Sequence, residues 1–435
     1  FDERRRSEMI RYATNKYGED RVAQIITYGT IKSKQAIKDS TRVLGYPYVV
    51  GEKLTKALPP SVMGKDISLG GVFDPKDDRY GEAGEFRALY ESDPDSRRVV
   101  DTARGLEGLK RQWGVHAAGV ILSREPLLDV IPIHRREADG AIITQFDMGA
   151  CEATGLLKMD FLGLRNLSVL DDCLLNIKAN QGKDVVLEDL TLDDPKTYEL
   201  LGRGDTLGVF QLDGGPMRAL LKSMVPDSFE DISAVIALYR PGPMGENAHN
   251  NYADRKNGRK PVEPIHPELS EPLNEILGDT YGLIVYQEQV MKMSVEFAGY
   301  TLAEADFLRK AIGKKDIEGL KAQEQKFIEG ALKKGNKEDI AKKLWNDILP
   351  SARYSFNKAH AAVYAQLTCK TAYLKAMYPS EFIAEYIQSE LSKDAGDSIP
   401  DIKRHVKLYP PTYKDVFCVP FENGVKIGTS AIKGI

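Results

Sequence analysis

Apolar positions recur at helical spacing over residues 2–17, where Met9, Ile10, Ala13 and Tyr17 share one face and Gly18 closes the element. A second helical stretch, about 31–44, carries Lys32, Lys34, Lys38 and Arg42 and ends at Gly45. Turn residues then dominate 46–100: Pro59-Pro60, Gly70-Gly71 and Ser92-Asp93-Pro94-Asp95. A helix is expected over about 95–105. Val115-His116-Ala117-Ala118-Gly119-Val120-Ile121-Leu122 reads as a loop entering a strand, and Ala141–Phe146 as a strand. The run Gly155–Leu162 is so apolar that it predicts a strand buried on both faces. Together these make 115–165 a compact α+β core with a small sheet.

Beyond Leu167 the pattern turns mainly helical. Thr301 and Glu304 have capping-box spacing and open a helix to about Ile312. Charged helices follow over about 317–334 and 337–348. Asn357 caps a helix to about Met377, and Pro379 starts the next, through Leu391. Arg240-Pro241-Gly242-Pro243-Met244 predicts a rigid turn in which Gly242 frees the backbone. The tail changes character after 392, with Pro410-Pro411 and strand-like pieces at 415–419 and 424–428. The fold class expected is α+β and predominantly helical.

With 435 residues, 42% hydrophobic and 29% charged, the chain suits a globular protein of roughly two to four domains. No run approaches the roughly 18 apolar residues of a membrane span, so no membrane contact is expected. The charged start, Phe1-Asp2-Glu3-Arg4-Arg5-Arg6, lacks a signal-peptide core, and a cytoplasmic protein is the expectation. Cys151, Cys173, Cys369 and Cys418 lie far apart, which argues against structural zinc and a disulfide framework. The net charge of −4 excludes a general coat of DNA affinity but not a local basic groove. Walker A, GxSxG and HExxH motifs are absent from the sequence.

Candidate chemistry centres on Asp160. Strand alternation puts Lys158 on the same side, and Arg165 follows. A buried charge costs several kcal/mol, by rough estimate, unless paired or holding a metal. Two readings stand: a structural Lys–Asp pair, or a metal-binding carboxylate with a lysine to meet phosphate charge. Four further segments have a composition odd for plain core: Val209–Met217, Leu238–Met244, Tyr281–Met291 and Tyr354–Tyr364.

With the first, these segments resemble one family closely, the alpha subunits of bacterial replicative DNA polymerase III, the C-family polymerases. The family's DFLGLR, VFQL, RPGP, YQEQVM and FNKxHxxxY segments stand here in the family order. Ile25–Thr30 and Gly114–Gly119 fit as well, and the resemblance weakens after about residue 392. It implies template-directed transfer of nucleotides from dNTPs to a primer 3′-hydroxyl, with primer–template DNA as partner. Two Mg²⁺ ions held by three aspartates are expected, of which Asp160 matches the third and Lys158 assists. The sliding clamp and other replisome subunits are expected partners, mostly through regions outside this chain. It also implies a nucleotidyltransferase-like palm in two parts, 1–30 and 116–165, with a helical thumb at 31–115. Helical fingers would span 166–391, and 392–435 would lead toward the clamp-binding region.

The family's other two aspartates lie in a Pro-Asp-x-Asp-x-Asp-Phe segment whose Phe matches Phe1. The chain is therefore expected to be a central fragment, inactive alone and without the N-terminal PHP domain. Residues expected at the nucleotide are Arg165, Arg240, Tyr286, Asn357, Lys358, His360, Arg309, Lys310 and Lys314. Lys32, Lys34, Lys38, Arg42, Lys110, Arg111 and His116 are expected at the DNA. Bland readings stand beside these. His360 reads equally as a capping histidine, Arg240 as a salt-bridged arginine, and Tyr286 and His116 as core. The lysines and arginines read equally as a solvated face or as C-terminal helix stabilisers. Ser355, where the family often has Gly, and Ala359, where it often has Ser, depart from the pattern. A non-catalytic, helical DNA- or replisome-partner-binding module is the alternative function. A metal-dependent phosphoesterase lacks the His/Asp clusters it needs.

Overall fold

The computed structural model describes residues 1–61, 66–314, 317–352, 354–391, 406–411 and 415–431. They fall into two compact units, Phe1–Leu164 and Arg165–Ile435. Both are consistent with the α+β, mainly helical class. Among the described residues, no helix is long and apolar enough to cross a membrane.

In the first unit the helix Arg6–Tyr17 ends at Gly18, whose φ of +110° lets its N–H close back on Thr14 O. Five strands follow: β1 (Val22–Thr30), β2 (Lys110–Leu122), β3 (Ile133–Arg135), β4 (Ile142–Thr144) and β5 (Leu157–Asp160). They form one sheet in the order β3-β4-β1-β2-β5. β1 and β2 are antiparallel and paired from Val22↔Leu122 to Thr30↔Lys110, whereas β1 and β4 are parallel. Alternation splits the core across the sheet. Ile25 and Ile121 face one buried cluster with Leu127 and Ile131, while Val22 and Val120 pack with Ala13. Each fully buried aliphatic side chain of this kind contributes about 1.5–3 kcal/mol.

Residues 31–109 leave the sheet as helices, Ser33–Val43, Tyr48–Ala57, Gly84–Ser92 and Pro94–Leu106 among them. These close on their own core of Ile37, Leu54, Leu69, Phe86, Val99 and Val100. Two expectations need correction. β2 begins at Lys110, so 110–115 belong to the sheet and His116 lies inside a strand rather than in a loop before it. Among the described residues β5 is an edge strand paired with β2 alone, and Leu157 and Met159 are exposed rather than buried. The apolar run straddles the edge: Leu156 packs on one side of the sheet and Phe161 on the other.

The second unit is built around the helix Lys358–Met377, which packs against Pro195–Gly202 and Phe229–Leu238. A second core joins Gln287–Ala298, Leu302–Lys314, Ile317–Lys333 and Glu338–Ala352 around Met293, Phe327 and Trp345. In a third, Arg165–Gln181 and Pro379–Leu391 meet a small sheet of β6 (Lys407–Tyr409), β7 (Val419–Phe421) and β8 (Gly424–Lys426), ordered β6-β8-β7. The capping box forms: Thr301 N–H donates to Glu304 Oε2 at 2.8 Å and Glu304 N–H to Thr301 Oγ1 at 3.3 Å. Arg240-Pro241-Gly242-Pro243 is not the expected rigid turn but the start of a short helix, Pro241–Gly245, with proline in its first turn.

Candidate functional site

Asp160 ends β5, opposite Gly119 of β2. Lys158, two residues earlier on the same face, places Nζ 2.8 Å from Asp160 Oδ1. The Asp160 side chain is 62% exposed and that of Lys158 20%. The premise of a desolvated charge therefore fails: Asp160 is an open carboxylate with one flanking cation, in a pair worth about 0–1 kcal/mol. Beside it, Phe1 and Asp2 run parallel to the segment after β5. The Phe1 backbone nitrogen donates to Leu162 O at 2.9 Å, Leu164 N–H donates to Phe1 O at 2.7 Å, and Asp2 bridges Leu164. Asp2 itself caps the first helical turn and pairs with Arg4 at 2.8 Å.

As a metal site these residues fit only in part. Asp160 offers a hard oxygen donor in the open. Among the described residues, however, no group of three or more His, Cys, Asp or Glu could hold a metal ion.

His116 sits close by in the ladder. Its Nδ1 accepts the N–H groups of Ala118 at 3.1 Å and Gly119 at 2.7 Å. One ring nitrogen is thus committed to its own backbone, and only Nε2 faces elsewhere.

In the second unit, four of the singled-out segments converge at the N-terminus of Lys358–Met377. Phe356 N–H donates to Val285 O and Gln287 N–H to Phe356 O, both at 2.9 Å, tying 285–287 to 356. Asn357 Oδ1 accepts His360 N–H at 2.8 Å, the expected cap. Asn357 Nδ2 donates to Glu288 Oε1 at 2.8 Å, and Lys358 N–H to Glu288 Oε2 at 2.9 Å. Arg240 lies 4.2 Å over the Phe356 ring and donates through Nη2 to Tyr354 O at 2.6 Å. Half burial lowers the Arg240 pKa from its ordinary value. His360 stacks on Tyr364 at 4.4 Å, and Phe210 of the 209–217 segment meets the same ring at 5.3 Å. Asn357, Lys358 and His360 are exposed.

Tyr286 is core. It is 3% exposed, its hydroxyl lies 3.0 Å from Ser233 Oγ, and burial pushes its pKa up to about 12. Lys358 Nζ sits 5.5 Å over the ring, so Tyr286 supports the lysine rather than presenting a free face for stacking. Ser355 needs no positive φ; its hydroxyl donates to Ala352 O at 2.9 Å.

The remaining cations have partners or surroundings of their own. Arg309 and Lys310 both pair with Asp306 at 2.8 Å on Leu302–Lys314. Lys315 and Arg353 lie outside the described residues, as does the Lys314 side chain. Arg165 opens its helix and donates through Nη1 to Ser389 O at 3.3 Å. In the first unit Arg42 and Arg111 meet at Asp39, at 3.2 and 3.5 Å, while Lys34 pairs with Asp66 at 3.3 Å. Lys110 lies 4.0 Å over Tyr28, and Lys32 and Lys38 are exposed. Lys38 and Arg42 line a groove of about 440 Å³ with Tyr46 and Tyr48.

Glu288, though inside the YQEQVM segment, and Asp39 are not among the residues singled out as site residues. Each is a carboxylate within a polar stretch, and only the fold reveals the distant backbone or guanidinium it serves. Gln289, generic by composition, is a buried strut: Oε1 accepts the N–H groups of Val285 and Tyr286, both at 2.9 Å, and Nε2 donates to Thr280 Oγ1 at 2.8 Å.

Comparison with known proteins agrees with the resemblance. Residues 1–163 match the family model of the bacterial DNA polymerase III alpha NTPase domain, and 166–335 that of the bacterial DNA polymerase III alpha subunit finger domain. The DNA polymerase III subunit alpha of Mycobacterium tuberculosis is 60% identical over 391 residues, covering 89% of this chain and 33% of the relative. That of Aquifex aeolicus is 44% identical over 453 aligned residues, covering 100% of this chain and 39% of the relative. That of Bacillus subtilis is 41% identical over 443, covering 100% and 38%. The chain thus spans 33–39% of the length of these relatives.

Proposed function

For a chain that belongs to the family of bacterial DNA polymerase III alpha subunits, we propose a part in template-directed DNA synthesis. In this reading it contributes the third carboxylate of the catalytic centre and much of the nucleotide-binding surface. The observation that carries the reading is the exposed Asp160 at the open end of β5, with Lys158 at 2.8 Å on the same face. Residues 1–30 and 116–165 are read as the palm, 31–115 as the thumb and 166–391 as the fingers, with 110–115 the part of that thumb range that joins the palm sheet through β2.

Asp160 shares divalent cations with carboxylates from outside this chain. The parallel course of Phe1–Asp2 supports that sharing, because a polypeptide continuing upstream on the same course passes alongside Asp160. Mg²⁺ held there would supply positive charge for activating a primer 3′-hydroxyl and for the leaving oxygens. Lys158 holds the Asp160 carboxylate in place and adds positive charge where the triphosphate lies.

In the fingers Lys358 and His360 present a cation and a stacked imidazole at a helix N-terminus, the arrangement that favours phosphate. Arg240, held by Tyr354 O and the Phe356 ring, steadies the 354–356 segment that leads into this helix. Arg165, Arg309 and Lys310, with Lys314 by the family resemblance alone, are read as basic charge for the triphosphate or the template backbone. Primer–template DNA lies along the thumb cations. The sliding clamp and other replisome subunits engage regions mostly beyond this chain.

Asp160→Asn in the full-length polypeptide tests the assignment. Primer extension is abolished while circular dichroism and the unfolding midpoint stay at wild-type values. Normal extension by that variant removes Asp160 from the catalytic centre.

A further inference from the structure

The two central strands of the first unit do not match residue for residue. Gln24 pairs with Val120 and Ile26 with Val115, so Ile25 alone stands opposite the four residues 116–119. Three surplus residues bulge from β2. A bulge strips backbone groups of their ladder partners, and each orphaned N–H costs about 1–3 kcal/mol if it stays unmet.

His116 meets two of them. Its Nδ1 takes the Ala118 and Gly119 N–H groups, a histidine version of the side-chain turn that Asp and Asn make. An acceptor at Nδ1 requires the tautomer with its proton on Nε2. Gly119 leaves no room for anything else: a Cβ there would lie 2.7 Å from Ile25 Cδ1 and 3.1 Å from His116 Nδ1.

The same bulge is where β5 stops. The β2–β5 ladder runs from Leu122↔Leu157 to Gly119↔Asp160. One step on, Phe161 N–H donates to Ala118 O at 2.8 Å. The backbone on both sides of the Asp160 carboxylate is therefore set by Ala118 and Gly119, the two residues whose N–H groups the imidazole holds.

We propose that His116 is a positioning residue: its imidazole fixes the 116–119 bulge and thereby the place of Asp160 at the end of β5. This rests on the reading of Asp160 as a metal-binding carboxylate and changes that of His116, which acts through the protein backbone and not by touching DNA. Misplacing a metal ligand by ~1 Å, or removing the group that orients it, costs about 10–100-fold in activity.

The test compares H116A, H116N and H116Q in the full-length polypeptide, with D160N alongside, reading single-turnover extension and primer–template affinity. Asn carries an acceptor oxygen on the short stem that such turns use, whereas Gln carries it one methylene further out. H116A loses about 10–100-fold in rate with primer–template affinity unchanged, and H116N recovers most of that loss. H116Q stays impaired. Wild-type rates in H116A, equal impairment of H116N and H116A, or a loss confined to DNA affinity would each overturn the proposal. Should H116A fail to fold, H116N against H116Q decides, and equal rates overturn it. D160N separates the two readings. If it extends normally the metal assignment fails, whereas an inactive D160N beside a fully active H116A sinks the inference about His116 alone.

Discussion

Glu288 grips the segment that starts the helix Lys358–Met377: its Oε2 accepts Lys358 N–H at 2.9 Å and its Oε1 the Asn357 amide at 2.8 Å. A carboxylate there faces the positive end of a 20-residue helix, whose first N–H groups have no intrahelical partner. Asn357 therefore does two things at once, capping His360 N–H and reaching back to Glu288.

Asn357→Ala removes both functions and should lower stability by about 0.5–2 kcal/mol in urea unfolding. Glu288→Gln keeps one oxygen acceptor but removes the anion, so its cost should be about 0.3–1 kcal/mol. A larger loss in Glu288→Gln than in Asn357→Ala contradicts this division of labour.

The helical half was legible because its signals are local. Asn357 three residues before His360, Thr301 three before Glu304 and Pro379 in a first turn each specify a helix start without help from elsewhere. The candidate site was legible less evenly. An apolar run looks the same whether its strand is central or at an edge, so Asp160 was expected to be buried and is open. Lys110, Arg111 and Gln112 hid the start of β2, since an exposed strand end carries no alternation. Proline at 241 suits a turn or the first turn of a helix equally, and here the helix won. Tyr286 has the composition of a stacking residue, but the partner that claims its hydroxyl, Ser233, is 53 residues away.

Glu304 gives a pH signature. Its hydrogen bond to Lys326, then those from the Thr301 N–H and hydroxyl, hold its carboxyl down at about 2. A carboxyl depressed in the folded state adds stability above its unfolded value of about 4.3, and that share disappears as pH falls from there through about 2. The urea midpoint of the wild type should drop across this window, and Glu304→Gln should drop less. Parallel pH curves for the two proteins count against the assignment.

Gly242 is required by a close approach, not by an unusual backbone. A Cβ there would sit 1.8 Å from Tyr354 Cδ1, inside any contact distance. Gly242→Ala must push the Tyr354 ring aside and disturb the carbonyl that Arg240 Nη2 holds at 2.6 Å. A loss of about 1–3 kcal/mol is expected, as for overpacking elsewhere. Because Arg240 is among the residues proposed at the nucleotide, the KM for dNTP should rise in the full-length enzyme. An unchanged KM with lowered stability would confine Gly242 and Arg240 to structure.

The cations expected at the DNA differ in how far they are committed at home. Arg42 touches Asp39 at 3.2 Å yet keeps 75% of its side chain exposed, and Lys38 is exposed beside it. Lys34 already answers Asp66 at 3.3 Å and Arg111 leans on Asp39 at 3.5 Å. Cations with open heads displace counterions from a duplex, whereas those spent on internal carboxylates displace fewer. The double variant K38A/R42A should therefore weaken duplex binding for every sequence alike, as phosphate contacts do. Its slope of log affinity against log salt should become shallower by at most about 0.9 for each phosphate that is no longer neutralised. K34A should move that slope less, because its charge is already balanced. A slope unchanged in K38A/R42A would place the duplex away from this face of the helix Ser33–Val43.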